Sequence, residues 1–430
     1  MMRSIKRITF AIAIILSLTW LAQFAYTQNQ AQAQAPASEA RDYLNKALDI
    51  IQNNSVKQAT NWIEFRRLTI EKAGNAQKAA DTYPAIRDAL NRLGDRHSSF
   101  FTPDDLKAMD AGRMSARYGD IGLRVRDLVV IIVYPNSSAS RARIEVKDKI
   151  LALNGTTLKA DSDYSKTINE AKRNGAKGVE VTQQRGNSEP RKIKLEFGEY
   201  GLNVPLQGRV LAEEIGLIEL PAFGVSLTDE KKAEAAANKF AEQIQALIRE
   251  LDQQNLKGWI IDLRLNGGGN MWPMLAGLGP ILGEGELGSF VGVRGSKKWR
   301  YQDGQSMIDQ KVASKVAVPY KVKNGDLPVA ILTDELTASS GEAVVVAFKG
   351  RSRTRFIGMP TRGVPTANSP MKLSDGAVLN LNVAVDADRT GKSYESKIPP
   401  DTEVRTIWAL YGTADDPVIK AALSWLLSPK

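Results

Sequence analysis

Two residue counts limit the chemistry that this chain can perform. Among 430 residues there is no cysteine and only one histidine, His97. Without cysteine there is no disulfide framework, thiolate nucleophile, iron–sulfur cluster or cysteine-based zinc site. One histidine cannot form a paired-histidine metal site such as H-E-x-x-H. A hydrolytic site here would use Ser, Thr, Lys, Asp or Glu, with His97 as the only available imidazole.

A pair of serines lies where a strand is expected to lead into a helix. The segment VAILTDELTASSGEAVVVAFKG, residues 329–350, indicates a strand, a turn and a helix that begins near Ser339 and Ser340. The N–H groups and positive dipole end of a helix N-terminus stabilise an alkoxide or oxyanion, which suits a nucleophile. The spacing Ser339-x-x-Glu342 is equally that of a capping box. This segment alone leaves both interpretations open.

Three consecutive glycines follow the apolar strand WIIDLRL, residues 259–265. Backbone amides of Gly267–Gly269, at the carboxyl end of a buried strand, can face a bound anion. The chain has neither G-K-[ST] nor G-x-G-x-x-G, which disfavours a phosphate loop and nucleotide binding. An oxyanion hole and a plain tight turn remain as interpretations.

His97 lies in the polar loop LGDRHSSFFTP, residues 93–103. Its unperturbed pKa near 6.5 suits a general base at neutral pH. The alternative is that His97 only interacts with the C-terminus of the preceding helix.

The elements that must position these residues fall into three regions. Residues 34–114 show apolar positions at helical spacing, with Gly94 as a helix stop, and predict a helical region that ends in the His97 loop. Residues 115–200 predict a compact β-rich module with short helices. The strand segments there are IGLRVRDLVVIIVY (121–134), KILALNG (149–155), VEVTQQ (179–184) and RKIKLEF (191–197).

Residues 201–430 alternate strand-like and helix-like segments. IGLIELPAF (215–223) precedes a predicted helix from about Thr228 to Leu251, and WIIDLRL follows. VAILT (329–333), a helix and RFIG (355–358) repeat this order, which predicts an α/β core with crossover connections. Asp375-Gly376 precedes alternating apolar residues and predicts a turn into a half-buried strand.

The amino terminus has the pattern of a secretory signal peptide. Arg3, Lys6 and Arg7 precede the apolar stretch of residues 8–22, and Ala31-Gln32-Ala33 resembles a cleavage site. We therefore expect residues 1–33 to direct export to a periplasmic or extracellular location. An uncleaved membrane anchor is the alternative, although the stretch is shorter than the ~20 apolar residues that span a bilayer comfortably.

The net charge of +10 raises the question of nucleic-acid binding. Part of this charge belongs to the expected signal peptide, and no basic run or basic–aromatic stripe is present. A mildly basic solvated surface explains the balance, and we expect no nucleic-acid partner. The sequence does not indicate an oligomeric state.

Several separated motifs, in this order along the chain, resemble the exported carboxy-terminal processing peptidases, the tail-specific or tricorn-core class of serine protease. They are LGDRHSSF, IIDLRLNGGG, VAILTDE with TASSGE, GMPTRG, and DGAVLNLNVAV followed by YESKIPPD. IGLRV and SASRARIEVKDKILALNG resemble the PDZ domain that many members contain. The resemblance covers roughly residues 40–405. It implies an α+β/α/β multidomain fold with a helical N-terminal region, a PDZ-like module and a ClpP/crotonase-like protease core.

The resemblance also implies roles for individual residues. Ser339 matches the nucleophile of the S-x-x-E turn, and the amides of Gly268, Gly269 and Ser340 match the oxyanion hole, which holds donors at the developing oxyanion. Asp262 and Arg264 match the D-L-R strand end, where a structural role is expected. No metal or organic cofactor is implied.

The chain departs from the Ser–Lys members at the position of the base. Their lysine lies in G-x-P-T-x-G-K-G, and Val364 stands there instead. Lys349 would lie about 15 Å from Ser339 along a helix, so it is a poor substitute. The Ser–His branch takes its base and orienting acid from positions that match His97 and Glu395, a carboxylate that would fix the imidazole tautomer. The Glu395 segment is one residue shorter than the usual spacing.

The PDZ-like region departs from its pattern as well. Asp120 stands where the carboxylate-binding loop usually has glycine, and Arg143 and Lys147 replace the glycines of A-G-x-x-x-G-D. A peptide carboxylate would meet the amides of Ile121, Gly122 and Leu123, with the peptide added as a strand. An acidic Asp120 beside that loop could weaken such binding.

These observations predict an exported serine endopeptidase that cleaves polypeptides near their carboxyl ends through an acyl-enzyme. The alternative is a catalytically inactive homologue that binds a peptide or an apolar ligand. The replaced lysine and the altered PDZ loop favour this alternative, whereas Ser339, the glycine turn and His97 oppose it.

Overall fold

A computed structural model describes residues 38–110, 121–160, 164–198, 204–224 and 230–428. The expected signal peptide and Asp120 lie outside these residues. The chain divides into two compact units, one formed from residues 1–102 and 370–381 and the other from 103–369 and 382–430. Within the described residues, no helix combines the length and the apolar character needed to cross a membrane.

The first unit is helical, as its periodicity predicts. It contains α1 (Ser38–Asn54), α2 (Trp62–Ala73), a 3₁₀ turn (Ala79–Thr82), α3 (Tyr83–Leu93) and the short strand β1 (Ser99–Phe101). The predicted apolar stripes of α1 and α3 are buried. Gly94 ends α3 in the left-handed conformation with φ 73°, which glycine adopts at little cost.

A returning segment of the chain closes this unit. Phe101 pairs in antiparallel fashion with Val378. The Asp375 carboxylate accepts hydrogen bonds from the hydroxyls of Tyr43 at 2.9 Å and Tyr83 at 2.5 Å. The Asp375-Gly376 turn is therefore fixed to the helices of the unit.

The second unit begins with α4 (Pro103–Asp110) and an antiparallel β-rich module. The sheet order is β2-β3-β4-β6-β7, with β5 added to β4, and the apolar core of the module lies between this sheet and two helices. The elements are β2 (Leu123–Arg126), β3 (Val129–Val133), α5 (Ser138–Arg141), β4 (Lys149–Leu153), β5 (Thr156–Thr157), α6 (Tyr164–Arg173), β6 (Gly178–Gln184) and β7 (Arg191–Glu196).

The rest of the second unit contains a six-stranded sheet with helices between its strands. The sheet order is β20-β16-β15-β10-β9-β8, parallel except for the β8–β9 pair. Its strands are β8 (Gln207–Leu211), β9 (Ile215–Glu219), β10 (Gly258–Asp262), β15 (Val329–Thr333), β16 (Thr354–Gly358) and β20 (Thr402–Glu403). The helices are α7 (Glu230–Leu251), α8 (Met271–Leu282), α9 (Ser340–Phe348) and α10 (Pro417–Leu427).

Both faces of this parallel sheet are covered. Ile261 and Ile331 pack with α7, α8 and α9, whereas Ile260 and Leu332 pack with α10 on the opposite face. Burial on both faces explains why these strands are almost uninterrupted apolar runs. The predicted α/β core with crossover connections is confirmed.

A second set of strands was predicted only in part, because the sequence indicated the strand after Asp375-Gly376 and not the others. It comprises the meander β11 (Gly285–Gly292), β12 (Gly295–Gln302), β13 (Gln305–Ile308) and β14 (Lys311–Lys315), together with β17 (Thr366–Lys372), β18 (Val378–Asp388) and β19 (Ser393–Tyr394). The prediction that β18 is half-buried was wrong. Its alternate polar positions are buried too, because Asn382 and Asp386 are only 2% and 1% exposed.

Candidate active site

Ser339 occupies a strained turn between β15 and α9. It has φ 52° and ψ −119°, a region that residues with a side chain rarely adopt. Such strain persists only where surrounding contacts impose it, and it concentrates at functional sites. Ser339 is half-buried, whereas the following residues of α9 are buried. The turn thus holds the Ser339 side chain at a helix N-terminus.

Glu342 holds this turn in place. Its carboxylate accepts hydrogen bonds from the amides of Ser339 at 2.9 Å, Gly363 at 2.8 Å and Val364 at 2.9 Å, and from the Thr361 hydroxyl at 2.5 Å. The side chain is fully buried, which raises the pKa of Glu342, while the four donors act to lower it. The glutamate half of the predicted capping box is formed, and it also ties Ser339 to the loop that contains Val364.

The glycine turn after β10 packs directly against Ser339. A Cβ placed on Gly268 would lie 2.8 Å from the Ser339 Cβ, and one placed on Gly269 would lie 2.0 Å from the Phe223 carbonyl oxygen. Both glycines have positive φ, 106° and 113°. Neither position accepts a side chain without a shift of its neighbours, so the close approach of the two loops depends on glycine.

The predicted oxyanion donors differ in their bonding. The Gly268 amide donates to the Asn266 Oδ1 at 3.0 Å, so that N–H is already engaged. For the amides of Gly269 and Ser340, no acceptor is present among the residues that the structure describes. The Ser340 hydroxyl donates to the Gly269 carbonyl at 2.7 Å and fixes one loop to the other. Two unoccupied N–H donors therefore lie in the loops beside Ser339.

The D-L-R strand end has the structural character that was expected. The Arg264 guanidinium is fully buried and lies 2.6 Å from the Asp262 carboxylate and 2.8 Å from that of Asp416. It also lies over the Tyr411 ring, 4.5 Å from the centroid. Asp416 accepts from the Val418 amide at the start of α10. This cluster joins α10 to the strand that leads into the glycine turn.

His97 belongs to the first unit and Ser339 to the second. The Asp95 carboxylate accepts from the backbone amides of His97 at 2.9 Å and Ser98 at 2.8 Å, and so shapes the loop. Burial lowers the pKa of the His97 imidazole, while the charge of Asp95 opposes this shift. A lowered pKa keeps the imidazole neutral near pH 7, which is the form that a base requires.

The other candidate bases and acids lie in different surroundings. Glu395 is exposed and follows β19. Val364 is buried in the loop held by Glu342. Lys349 follows the last residue of α9, and its ammonium lies over the Phe356 ring, 3.5 Å from the centroid; burial lowers the pKa of this lysine. Among the residues that the structure describes, no cluster of acidic or histidine side chains could hold a metal ion.

The PDZ-like loop is built around Gly122. A Cβ there would lie 1.9 Å from the Ser137 Cβ, so only glycine fits. The Gly122 carbonyl accepts from the Tyr134 amide at 2.9 Å, and the Ile121 carbonyl accepts from the Ala139 amide at 2.9 Å. Leu123 begins β2. Ile121, Gly122 and Leu123 thus form a turn that leads into a strand.

The two residues that replace glycines in this module adopt glycine-like backbones. Arg143 has φ 57° and Lys147 has φ 77°. Left-handed conformations cost most side chains about 1–2 kcal/mol, which explains why glycine suits these positions.

The sequence did not reveal the surroundings of two buried acidic residues, Glu342 and Asp386. It assigned Glu342 only a capping role, because its contacts with residues 361–364 join distant parts of the chain. It also missed Asp386, whose carboxyl is buried in β18 and has no hydrogen-bond partner among the described residues. The local signal for Asp386 was weak, because β18 also contains Asn380, Asn382 and Asp388.

Comparison with known proteins agrees with the class that this site defines, the serine-type peptidases. Residues 214–404 match the model of peptidase family S41. The resemblance to carboxy-terminal processing peptidases read from the motifs is thereby confirmed.

Individual relatives support the same assignment. The nisin-resistance protein of Lactococcus lactis is 35% identical over 155 residues, which are 36% of this chain and 48% of that protein. The chloroplastic C-terminal processing peptidase of Tetradesmus obliquus is 25% identical over 399 residues, 86% of this chain and 79% of the relative. The match thus spans about half of the first relative and most of the second.

A solved structure shows the same fold over most of the chain. The photosystem II D1 C-terminal processing protease matches with a TM-score of 0.53 and 20% identity, and the match covers 86% of this chain and 94% of that one. The expected mixed fold, with N-terminal helices and an α/β protease core, is confirmed.

Proposed function

We propose that this protein is a serine endopeptidase that cleaves polypeptides near their carboxyl ends. The observation that carries the proposal is the strained backbone of Ser339, at φ 52°, packed against a glycine turn. A strained turn before a helix presents a serine hydroxyl to substrate, and adjacent unoccupied amides supply an oxyanion site. The match of residues 214–404 to peptidase family S41 supports this interpretation over that of a simple helix cap.

The mechanism assigns one role to each residue. His97 removes the Ser339 proton, and Ser339 attacks the substrate carbonyl to form a tetrahedral intermediate. The amides of Gly269 and Ser340 donate to the oxyanion, while Gly268, whose amide is bound to Asn266, allows the close approach of the loops. His97 then protonates the leaving amine, and water hydrolyses the acyl-enzyme. Glu395 orients the imidazole in this proposal.

The two candidate positions for a lysine base, Val364 and Lys349, favour His97 as the base instead. Val364 stands in the loop that supplies the lysine in Ser–Lys relatives, and it is apolar. Lys349 stacks on Phe356 at the far end of α9 from Ser339, so its ammonium is committed elsewhere. The lowered pKa of His97 suits proton abstraction at neutral pH.

Polypeptide substrates follow from the relatives, several of which are named as carboxy-terminal processing proteases. The PDZ-like module would receive the substrate carboxylate at Ile121, Gly122 and Leu123. Residues 1–33 would direct export, which places the substrates in a periplasmic or extracellular compartment.

A serine-reactive phosphonate tests the proposal directly. We expect the wild type and the surface variant Ser352→Ala to be labelled, while Ser339→Ala and His97→Ala lose labelling and cleavage of an unfolded protein but keep the fold. Ser352 is an exposed serine and serves as the matched control. Full proteolysis by His97→Ala would refute His97 as the base and would favour a lysine as the base instead.

A non-enzymatic protein on the same fold is the second candidate, favoured by Val364 at the lysine position. Such a protein would hold a peptide or an apolar ligand without cutting it. It predicts no phosphonate labelling at Ser339 even with all residues intact, so the same experiment decides between the two functions.

A further inference from the structure

The free edge of the β-rich module is closed by one tyrosine hydroxyl. Among the residues that the structure describes, β2 is the terminal strand of its sheet and pairs with β3 on one side only. The Gly122 carbonyl accepts from the Tyr134 amide, so it points toward the strand pair. Carbonyl directions alternate along a strand, which turns the Leu123 carbonyl outward to the edge. An unpaired edge of this kind is a template for adding a peptide strand.

Tyr164, the first residue of α6, occupies that edge. Its hydroxyl donates to the Leu123 carbonyl at 2.9 Å and lies beside the Val125 amide. One hydroxyl thereby lies at two backbone groups that an incoming peptide strand would need. Burial raises the pKa of Tyr164 to about 12, so the hydroxyl keeps its proton and remains a donor at any physiological pH.

The charge beside this edge indicates the kind of ligand. The positive charges of Arg124 and Arg126 on β2 both act on the Tyr164 hydroxyl. Arg126 also lies 3.8 Å from Glu335, a weak exposed pair. Positive charge near an edge with strand-type hydrogen bonding suits an extended peptide that carries a free carboxylate.

We propose that Tyr164 is a latch that closes the β2–α6 groove, and that an extended peptide with a free carboxyl terminus binds only after displacing its hydroxyl from β2. The proposal rests on the suggested role of Ile121, Gly122 and Leu123 as the carboxylate-binding loop. The cost of breaking the hydrogen bond between Tyr164 and Leu123 reduces the apparent peptide affinity, because only the open form binds.

Tyr164→Phe removes the latch and keeps the ring. The assay uses the full chain with Ser339→Ala, so that no peptide is cleaved. Binding is measured by the fluorescence anisotropy of two short labelled peptides, one with a free carboxyl terminus and one with an amidated end. We expect Tyr164→Phe to bind the free-carboxylate peptide about tenfold more tightly, as the loss of one ordinary hydrogen bond predicts. The amidated peptide should bind weakly in every variant.

Tyr320→Phe is the matched control, because it removes a hydroxyl that donates to Asp252 in the protease core. It should leave peptide affinity unchanged. Equal affinity of the wild type and Tyr164→Phe would overturn the latch, and so would weaker binding by Tyr164→Phe, since the hydroxyl would then belong to the binding site.

Hydrogen exchange provides a second test that does not depend on peptide. The Val125 amide should exchange slowly in the wild type and at least several times faster in Tyr164→Phe, while amides of β6 stay unchanged. Unchanged Val125 protection would contradict the latch. Phosphonate labelling of Ser339 is measured separately on the catalytically intact chain, so a failure of the proposed peptidase function is distinguished from a failure of the latch.

Discussion

Two buried carboxyl groups in the second unit differ in the way they are stabilised. Glu342 accepts four hydrogen bonds, which suits a carboxylate anion. Asp386 is 1% exposed, and neither of its oxygens has a hydrogen-bond partner among the described residues. Burial, together with the nearby Glu342 charge, raises the pKa of Asp386 well above its usual value. Burial raises the pKa of both carboxyl groups, but only Glu342 has hydrogen-bond donors that oppose the rise.

This difference predicts how Asp386→Asn changes stability with pH. Between the unfolded pKa of about 3.9 and the raised folded pKa, the folded protein holds a proton that the unfolded chain has lost. The contribution of Asp386 to the stability of the wild type therefore falls as the pH rises through that window. Asparagine does not titrate, so the stability of Asp386→Asn does not fall for this reason. We expect Asp386→Asn to be more stable than the wild type, with a gap in the free energy of unfolding that widens from pH 5 to pH 8.

Urea unfolding at both pH values measures this gap. Asp415→Asn is the control, because Asp415 is exposed and pairs with Lys420 on the surface, where such pairs contribute little. A gap that stays constant with pH would show that Asp386 does not take up a proton on folding.

At the scale of elements, the site depends on two loops that meet at the carboxyl edge of a parallel sheet. The turn before α9 brings Ser339, and the turn after β10 brings the glycines. Ligand sites of open α/β sheets lie at this edge, because loops of neighbouring strands converge there. Gly268 permits the contact, and Glu342 holds the Ser339 turn from the other side.

Gly268→Ala should separate the loops. The new Cβ would lie 2.8 Å from the Ser339 Cβ and 2.9 Å from the Ala338 carbonyl oxygen, at a φ of 106°. We expect phosphonate labelling to fall at least tenfold and the free energy of unfolding to decrease by about 1–3 kcal/mol. Labelling rates and urea unfolding measure the two effects.

Gly267→Ala is a close control in the same turn, because no atom lies within 4 Å of its added Cβ. It should retain labelling and stability. If both alanine variants label like the wild type, the close approach of Gly268 to Ser339 is not required for reactivity.

On the scale of the whole molecule, distant parts of the chain stabilise the site. Within the second unit, Asp416 and Tyr411 from the C-terminal part surround Arg264, at the end of the strand that leads into the glycine turn. A buried cation held by two carboxylates becomes costly when one of them is removed. The last helix is thus part of the support of the site.

Asp416→Ala should therefore be among the most damaging single changes outside the site. It leaves Arg264 with one carboxylate and removes the acceptor for the Val418 amide at the start of α10. We expect a loss of about 3–5 kcal/mol in the free energy of unfolding. Chemical denaturation provides the measurement, and the neighbouring exposed Asp415→Ala should change stability by less than about 1 kcal/mol. Equal effects of the two variants would contradict the role of the cluster.

Local sequence features determined much of the fold and part of the site. Helical periodicity placed α1 and α3, and Gly94 marked the end of α3. Continuous apolar runs identified the buried strands β10 and β15, since burial on both faces leaves no polar alternation. The S-x-x-E turn and the glycine turn were recognisable because strained backbones and helix starts need particular residue types at fixed spacing.

Only the tertiary structure decided which of these residues act together. Gly268 meets Ser339, Glu342 meets the Val364 loop, and Tyr164 meets β2, although each pair is far apart in sequence. The strand β18 appeared half-buried from its alternation, yet Asp386 on its polar side is buried as well. One physical reason explains these three contacts and the burial of Asp386. Burial and close approach depend on which elements pack together, and local spacing carries no information about those partners.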